Sequence, residues 1–160
     1  MDIRILAEVY RLGLSTGYYT VRDVVTWADS VIEELDEPPY DIIDLSLSGN
    51  AKPVDIASIL KEFSKEISSS ELPCMIILGL LANYSIKTGD ISTVTSMLYR
   101  LCEHLPETCD SIKVEILSLT DELYLAEQNI YGNLQEVIKR LQEFLMQYRS
   151  YSKYFVEDFH

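Results

Sequence analysis

The feature that most constrains this chain is a helical spacing of apolar residues that returns along nearly its whole length. Between Thr20 and Asp36, apolar side chains recur three or four positions apart, which places them on one side of an α-helix. The same spacing predicts helices over residues 3–12, 21–35, 40–47, 56–67, 72–86, 91–105, 112–126 and 134–148. No stretch alternates apolar and polar residues as a half-buried strand does. We therefore predict an all-α fold of about seven to eight antiparallel helices.

Local signals mark where several of these helices begin and end. Thr20, with Asp23 three residues later, is typical of an N-terminal capping box. Pro38 and Pro39 end the second helix, because proline lacks the amide proton and clashes with the preceding turn. Gly13 and Gly17 suit the end of the first helix. The segment 72–86 is apolar on almost every side, which predicts a helix at the centre of its domain.

The length of 160 residues fits one domain, so we predict a single all-helical domain over 1–160. Its aromatic-rich end, residues 148–160, either packs back on the body or forms a loose tail. Residues 72–105 form two predicted helices around a Gly-Asp turn, as one unit of a helical solenoid would. A solenoid-like arrangement is therefore an alternative, although no second unit with the same residues recurs at a fixed period.

Three observations indicate a cytoplasmic protein. The N-terminal residues lack the continuous apolar core of a secretory signal. The most apolar window, residues 72–82, is about half the roughly 20 residues that a membrane-spanning helix needs. The cysteines number three, Cys74, Cys102 and Cys109, and an odd number without a framework spacing argues against a disulfide scaffold.

The sequence contains few residue patterns that are typical of a catalytic site. The histidines are His104 and the terminal His160, and Cys102 and His104 are two positions apart, so they diverge on a helix. No glycine-rich phosphate loop follows a strand. A dyad of His104 with Cys102 or Cys109 is the enzymatic alternative, but a core thiol and a surface imidazole explain these residues more simply. We expect no catalytic site, no metal and no cofactor.

The charge of the chain limits its partners. Lysine and arginine number 13 against 26 acids, which gives a net charge of −13. Binding to nucleic acid draws its affinity from cations that displace counterions from phosphates, so non-specific binding to nucleic acid is excluded. The same excess argues against docking on an anionic membrane.

Much of this charge lies in one window, from Arg22 to Asp44. Its 23 residues hold eight acids and one base, which is −7 of the total −13. With the second helix running to residue 35 or beyond, Asp29, Glu33 and Asp36 lie on one helical face, where like charges repel and folding gains nothing. The predicted partner-binding residues are Trp27, Asp29, Glu33, Asp36, Glu37, Asp41 and Asp44.

Alternatives accompany this prediction. A second window, residues 103–127, holds seven acids and one lysine and is a competing candidate. Outward acids also serve solubility alone. Trp27 lies at the edge of the apolar stripe, so it is either a packed boundary residue or an exposed anchor of the kind that dominates interfaces.

One family resemblance rests on the first third of the chain. Residues 19–29 (YTVRDVVTWAD), Glu37-Pro38-Pro39 and residues 41–47 (DIIDLSL) resemble small, acidic, all-helical bacterial immunity proteins, which are encoded beside polymorphic or contact-dependent toxins. The resemblance implies a non-catalytic protein, a cytoplasmic location and a toxin domain as partner. It carries over no inhibitory residue.

Two functions follow as hypotheses. The first is a binding protein that neutralises a bacterial toxin domain, such as a basic nuclease, through its acidic surface. The alternative is a helical scaffold or adaptor for protein–protein interaction that self-associates through the 72–86 helix or the aromatic tail.

Overall fold

The computed structural model describes residues 2–67 and 70–156, and all regular secondary structure in these ranges is helical. The prediction of an all-α fold is confirmed, and each of the eight predicted helices is present. The α-helices are α1 Ile3–Thr16, α2 Val21–Glu34, α3 Tyr40–Ser46, α4 Pro53–Phe63, α5 Leu72–Thr88, α6 Ile91–Cys102, α7 Asp110–Glu127, α8 Leu134–Met146 and the short α9 Lys153–Val156. Short 3₁₀ turns lie at Lys65–Ile67, Glu107–Cys109 and Arg149–Ser152.

The contacts between residues divide the chain into two compact units. Unit 1 is Met1–Ser68 and unit 2 is Ser69–His160. In unit 1, α1 packs on α4, α2 packs on α3, and α3 packs on α4. In unit 2, α5 packs on α6, α8 and the Arg149–Ser152 turn, while α7 packs on α6 and α8. Helices that follow one another along the chain are thus mostly packing neighbours, as short connections require.

An aromatic cluster joins α1 to α2 in unit 1. The Tyr10 ring stacks on Trp27 at a centroid distance of 4.8 Å, and it lies 4.6 Å from the ring of Tyr19. A β-carbon on Gly13 would lie 2.2 Å from the Tyr19 ring, so the absence of a side chain there allows this close approach. The expectation that Gly13 helps to end α1 is wrong. The helix continues to Thr16 and ends at Gly17, whose φ of 86° is the left-handed conformation that favours glycine.

A buried ion pair also lies in unit 1. Arg11 donates two hydrogen bonds to the Glu8 carboxylate, one of them from Nε at 2.8 Å. Ser64, which follows α4, donates to the same carboxylate at 2.9 Å. Glu8 and Arg11 are 3% and 8% exposed. Buried charges are tolerated when they are paired and hydrogen-bonded in this way, and the Ser64 contact ties the end of α4 to α1.

Helix α5 is the buried centre of unit 2, as its uniformly apolar sequence predicts. Most of its residues from Pro73 to Ala82 are buried, because other helical segments cover it on several sides. The apolar surface of residues 73–82 is therefore used largely inside the unit, whereas Ile86 is 56% exposed. None of the helices within residues 2–67 and 70–156 is long and apolar enough to cross a membrane.

The segment after α8 packs back on α5. Asn83 of α5 donates to the Ser152 hydroxyl at 2.7 Å and accepts from the Arg149 guanidinium at 3.2 Å. Ser152 and Phe155 are buried. Residues 148–155 thus contact α5, which is one of the two arrangements expected for this segment, whereas residues 157–160, which include Phe159, lie outside the described part of the chain.

Candidate functional site

The six acids predicted to bind a partner lie on and between α2 and α3. Asp29, Glu33, Asp36 and Glu37 are exposed, and Asp41 and Asp44 are half-buried. Helices α2 and α3 pack side by side, and the Ser46 hydroxyl of α3 donates a hydrogen bond to the Asp29 carboxylate of α2. We call these six residues the acidic rim: Asp29, Glu33, Asp36, Glu37, Asp41 and Asp44.

The prediction that Asp29, Glu33 and Asp36 share one helical face is wrong for Asp36. Helix α2 ends at Glu34, and Leu35 is extended, with φ −103° and ψ 134°. Pro38 and Pro39 lie beyond this end, and they prevent the helix from continuing further along the chain. Asp29 and Glu33 remain one turn apart on the exposed face of α2, and Asp36 and Glu37 belong to the connection that leads to α3.

An exposed apolar stripe runs along α3 between these acids. Tyr40, Ile43 and Leu47 are 78%, 39% and 81% exposed, and their spacing of three and four residues puts them on one side of the helix. The opposite side carries Ile42 and Leu45, which are fully buried. We call Tyr40, Ile43 and Leu47 the α3 stripe.

The sequence pattern did not single out the α3 stripe. A signal was present, since a seven-residue helix that is apolar on both sides has an apolar face left for exposure when the other face is buried. Contiguous exposed apolar surface with a polar border marks interaction sites on soluble proteins.

The acidic rim flanks the α3 stripe on two sides. At 100° per residue, Asp44 lies beside the stripe on one flank of α3, and Ser46, which holds Asp29, lies on the other flank. Asp41 lies further round, where it lines a hollow of about 300 Å³ with Arg4, Lys65 and other residues. The structure therefore does not bring the six acids into one row, and it places Asp44 and Asp29 on opposite flanks of the α3 stripe.

The charge of the acidic rim is not neutralised within the described chain. The ion pairs found in residues 2–67 and 70–156 are Arg4–Glu66, Arg11–Glu8, Lys65–Glu62, Lys139–Glu143 and Arg140–Glu122, and none includes a rim acid. The last turn of α2 holds Glu33 and Glu34 and no base. Negative charge is unfavourable at a helix C-terminus, so the fold bears a small electrostatic cost at this place.

Trp27 does not belong to this surface. It is 5% exposed and stacks on Tyr10, so the expectation of an exposed anchor is wrong, and the alternative of a packed residue describes it. The reason is that Trp27 lies on the same side of α2 as the buried Val24, Ala28 and Val31. The exposed aromatic residue of this region is Tyr40 instead.

The second acidic window has a partial structural explanation. Glu107 and Asp110 lie just before and at the first turn of α7, where negative charge is stabilised by the helix dipole. Glu122 forms an ion pair with Arg140 of α8. Several acids of residues 103–127 thus contribute to the fold at a helix end or in an ion pair, whereas no rim acid has an ion pair within the described residues.

The cysteines form part of the core of unit 2. Cys74 and Cys109 are 1% and 0% exposed. The neighbouring Cys109 thiol and burial both raise the pKa of the Cys74 thiol. The neighbouring Cys74 thiol lowers the pKa of Cys109. Cys102 is buried, and its thiol lies 3.9 Å from the carbonyl oxygen of Lys113. Such buried thiols behave as small apolar groups and are closed to a substrate.

Among residues 2–67 and 70–156, no group of three or more His, Cys, Asp and Glu side chains is arranged to hold a metal ion. Neither a family model, nor a curated protein, nor a solved structure matches this chain.

Proposed function

We propose that this chain is a non-catalytic protein that binds a basic protein partner through the α2–α3 surface. The observation that carries the proposal is the α3 stripe, three exposed apolar residues bordered by acids that have no ion pair within the described chain. Protein interfaces have this anatomy, with an apolar, aromatic-containing centre and a polar rim. Tyrosine at such a centre is among the residues that contribute most to affinity.

The acidic rim supplies the second part of the argument. An unneutralised negative border speeds encounter with a positive partner and rejects negative ones. The net charge of −13 acts in the same direction over longer distances.

We propose further that the partner is a bacterial toxin domain, which this protein neutralises in the cytoplasm. The resemblance of residues 19–47 to immunity proteins supports this part of the proposal. A nuclease is a suitable target, because a cleft that grips phosphate is basic and carboxylates can occupy it in place of phosphate.

The experiment is co-expression with the product of the adjacent upstream gene, followed by binding measurements on the purified pair. We expect protection from toxicity, and we expect Leu47→Ala and Tyr40→Ala each to weaken binding by about 2 kcal/mol, roughly thirtyfold. Ile130→Ala is the matched control, since Ile130 is an apolar residue of unit 2 that is 66% exposed. It should leave affinity unchanged.

The rim is tested separately from the stripe. Asp29→Asn and Glu33→Gln should slow association and reduce its salt dependence, whereas Glu127→Gln in the second acidic window should not. An upstream product that is harmless, or a toxin that kills despite this protein, would remove the immunity proposal. Equal affinity of the Leu47 and Ile130 variants would remove the α3 stripe as the binding surface.

A further inference from the structure

A second candidate surface lies in unit 2, in a groove between α6 and α7. The groove has a volume of about 780 Å³. Helix α6 contributes Thr95, Ser96, Tyr99 and Arg100, and helix α7 contributes Leu117, Ser118, Thr120, Asp121 and Tyr124. We propose that this groove is a contact surface between two copies of the chain, independent of the α2–α3 surface.

The edges of the groove are apolar and exposed. Tyr99 and Tyr124 are 56% and 57% exposed, one on each helix, and Leu117 is 38% exposed. Amphipathic rings at more than half exposure are suited to a protein contact, since one end is buried and the hydroxyl finds a polar partner.

The interior of the groove is better suited to apolar packing than to a polar ligand. The Thr95 hydroxyl donates to the carbonyl oxygen of Ile91 at 2.7 Å, and the Thr120 hydroxyl donates to that of Leu117 at 3.2 Å. Both hydroxyls are therefore satisfied by their own helices. Small side chains at these positions leave room for larger side chains from an approaching helix.

The charges in the groove select a second copy as the occupant. Arg100 and Asp121 both line it, and neither belongs to an ion pair within residues 2–67 and 70–156. A strongly basic partner would meet Arg100, and a strongly acidic one would meet Asp121. In a dimer with a two-fold axis, a contact between residue i of one copy and residue j of the other occurs twice, because residue j of the first copy also contacts residue i of the second. Arg100 of each copy can then pair with Asp121 of the other.

The balanced charge of the groove reduces the local repulsion between two copies of so acidic a chain. The groove-lining residues carry one positive and one negative charge, whereas the whole chain carries −13. Two copies that meet here bring together two balanced surfaces, and they form a contact in which helical pairs from two chains pack against each other. The long-range repulsion makes the association weak, so it depends on concentration.

Sedimentation velocity on the full chain tests the proposal, over concentrations from about 10 µM to about 1 mM, where weak contacts associate. We expect a monomer–dimer equilibrium. Arg100→Asp and Asp121→Arg should each raise the dissociation constant by at least about tenfold, because each places like charges opposite one another. The double variant, Arg100→Asp with Asp121→Arg, should restore dimerisation. The matched control is Arg22→Asp, an exposed arginine of unit 1, which should dimerise as the original chain does.

Three results would overturn the proposal: a monomer at every concentration, single variants that dimerise normally, or a double variant that fails to recover. Both groove substitutions are at surface-accessible positions, and circular dichroism of each variant confirms that it is folded before it is scored. The α2–α3 surface lies in the other unit, so loss of dimerisation with unchanged partner binding separates the two proposals.

Discussion

The contact between α5 and the C-terminal segment depends on one glycine, and replacing it tests how tightly unit 2 is packed. Gly79 lies in the middle of α5. A β-carbon there would lie 2.4 Å from the carbonyl oxygen of Tyr148 and 2.9 Å from the amide nitrogen of Ser152, whereas ordinary contacts begin near 3.4 Å. In Gly79→Ala the Arg149–Ser152 turn must therefore move by about 1 Å. The obstructing atoms are backbone atoms, so no change of side-chain rotamer can relieve the clash.

The expected magnitude follows from three contributions. Overpacking by one methyl group costs about 1–3 kcal/mol. If the turn separates from α5, the two hydrogen bonds of Asn83 are lost, at about 0.5–1.5 kcal/mol each. Alanine returns about 1 kcal/mol, because it favours a helix interior over glycine. The free energy of unfolding should therefore fall by about 1–5 kcal/mol for Gly79→Ala.

Urea denaturation followed by circular dichroism measures this change. Gly49→Ala is the matched control, because a β-carbon there meets nothing within 4 Å, and it should be neutral or slightly stabilising. Limited proteolysis adds a local readout, since a displaced turn should be cleaved faster between residues 147 and 156. A Gly79→Ala protein as stable as the Gly49→Ala protein would show that α5 and the C-terminal segment are not in close contact.

Two further predictions concern buried ionisable groups. Glu8→Ala should lower the free energy of unfolding by about 3–5 kcal/mol, because it leaves the buried Arg11 charge without its carboxylate. Glu62→Ala breaks an exposed ion pair and should change the free energy of unfolding little. Equal urea midpoints for the two variants would contradict the reasoning. Burial raises the pKa of the Cys102 thiol above its ordinary value of 9.0 and that of the Tyr19 hydroxyl above 10.0. The unfolded chain thus releases these protons at lower pH than the folded chain, so stability should fall as the pH rises past about 9. Urea midpoints at about pH 8 and about pH 10 measure this fall in stability. Tyr19→Phe should reduce the part of the fall that occurs near pH 10. A urea midpoint that does not change with pH would refute the reasoning.

The sequence alone determined the helices, because their spacing and end signals act within a few residues. The capping box of Thr20 and Asp23 forms as predicted, with both reciprocal hydrogen bonds present. Helix α2 ends at Glu34, shortly before Pro38 and Pro39, and the uniformly apolar α5 is largely buried. The concentration of acids between Arg22 and Asp44 was equally visible from the sequence, since charge is a property of composition.

The tertiary structure decided which side of each helix meets solvent. Apolar residues on both sides of α3 look alike in sequence, and only the packing of α3 on α2 and α4 buries Ile42 and leaves Tyr40 exposed. Trp27 is buried where the Tyr10 ring stacks on it, and these two residues are 17 positions apart in the chain. The α6–α7 groove likewise exists only where two helices meet. Local spacing fixes the period of a helix, but burial depends on neighbours distant in sequence, so the proposed binding surfaces could not be read from the chain itself.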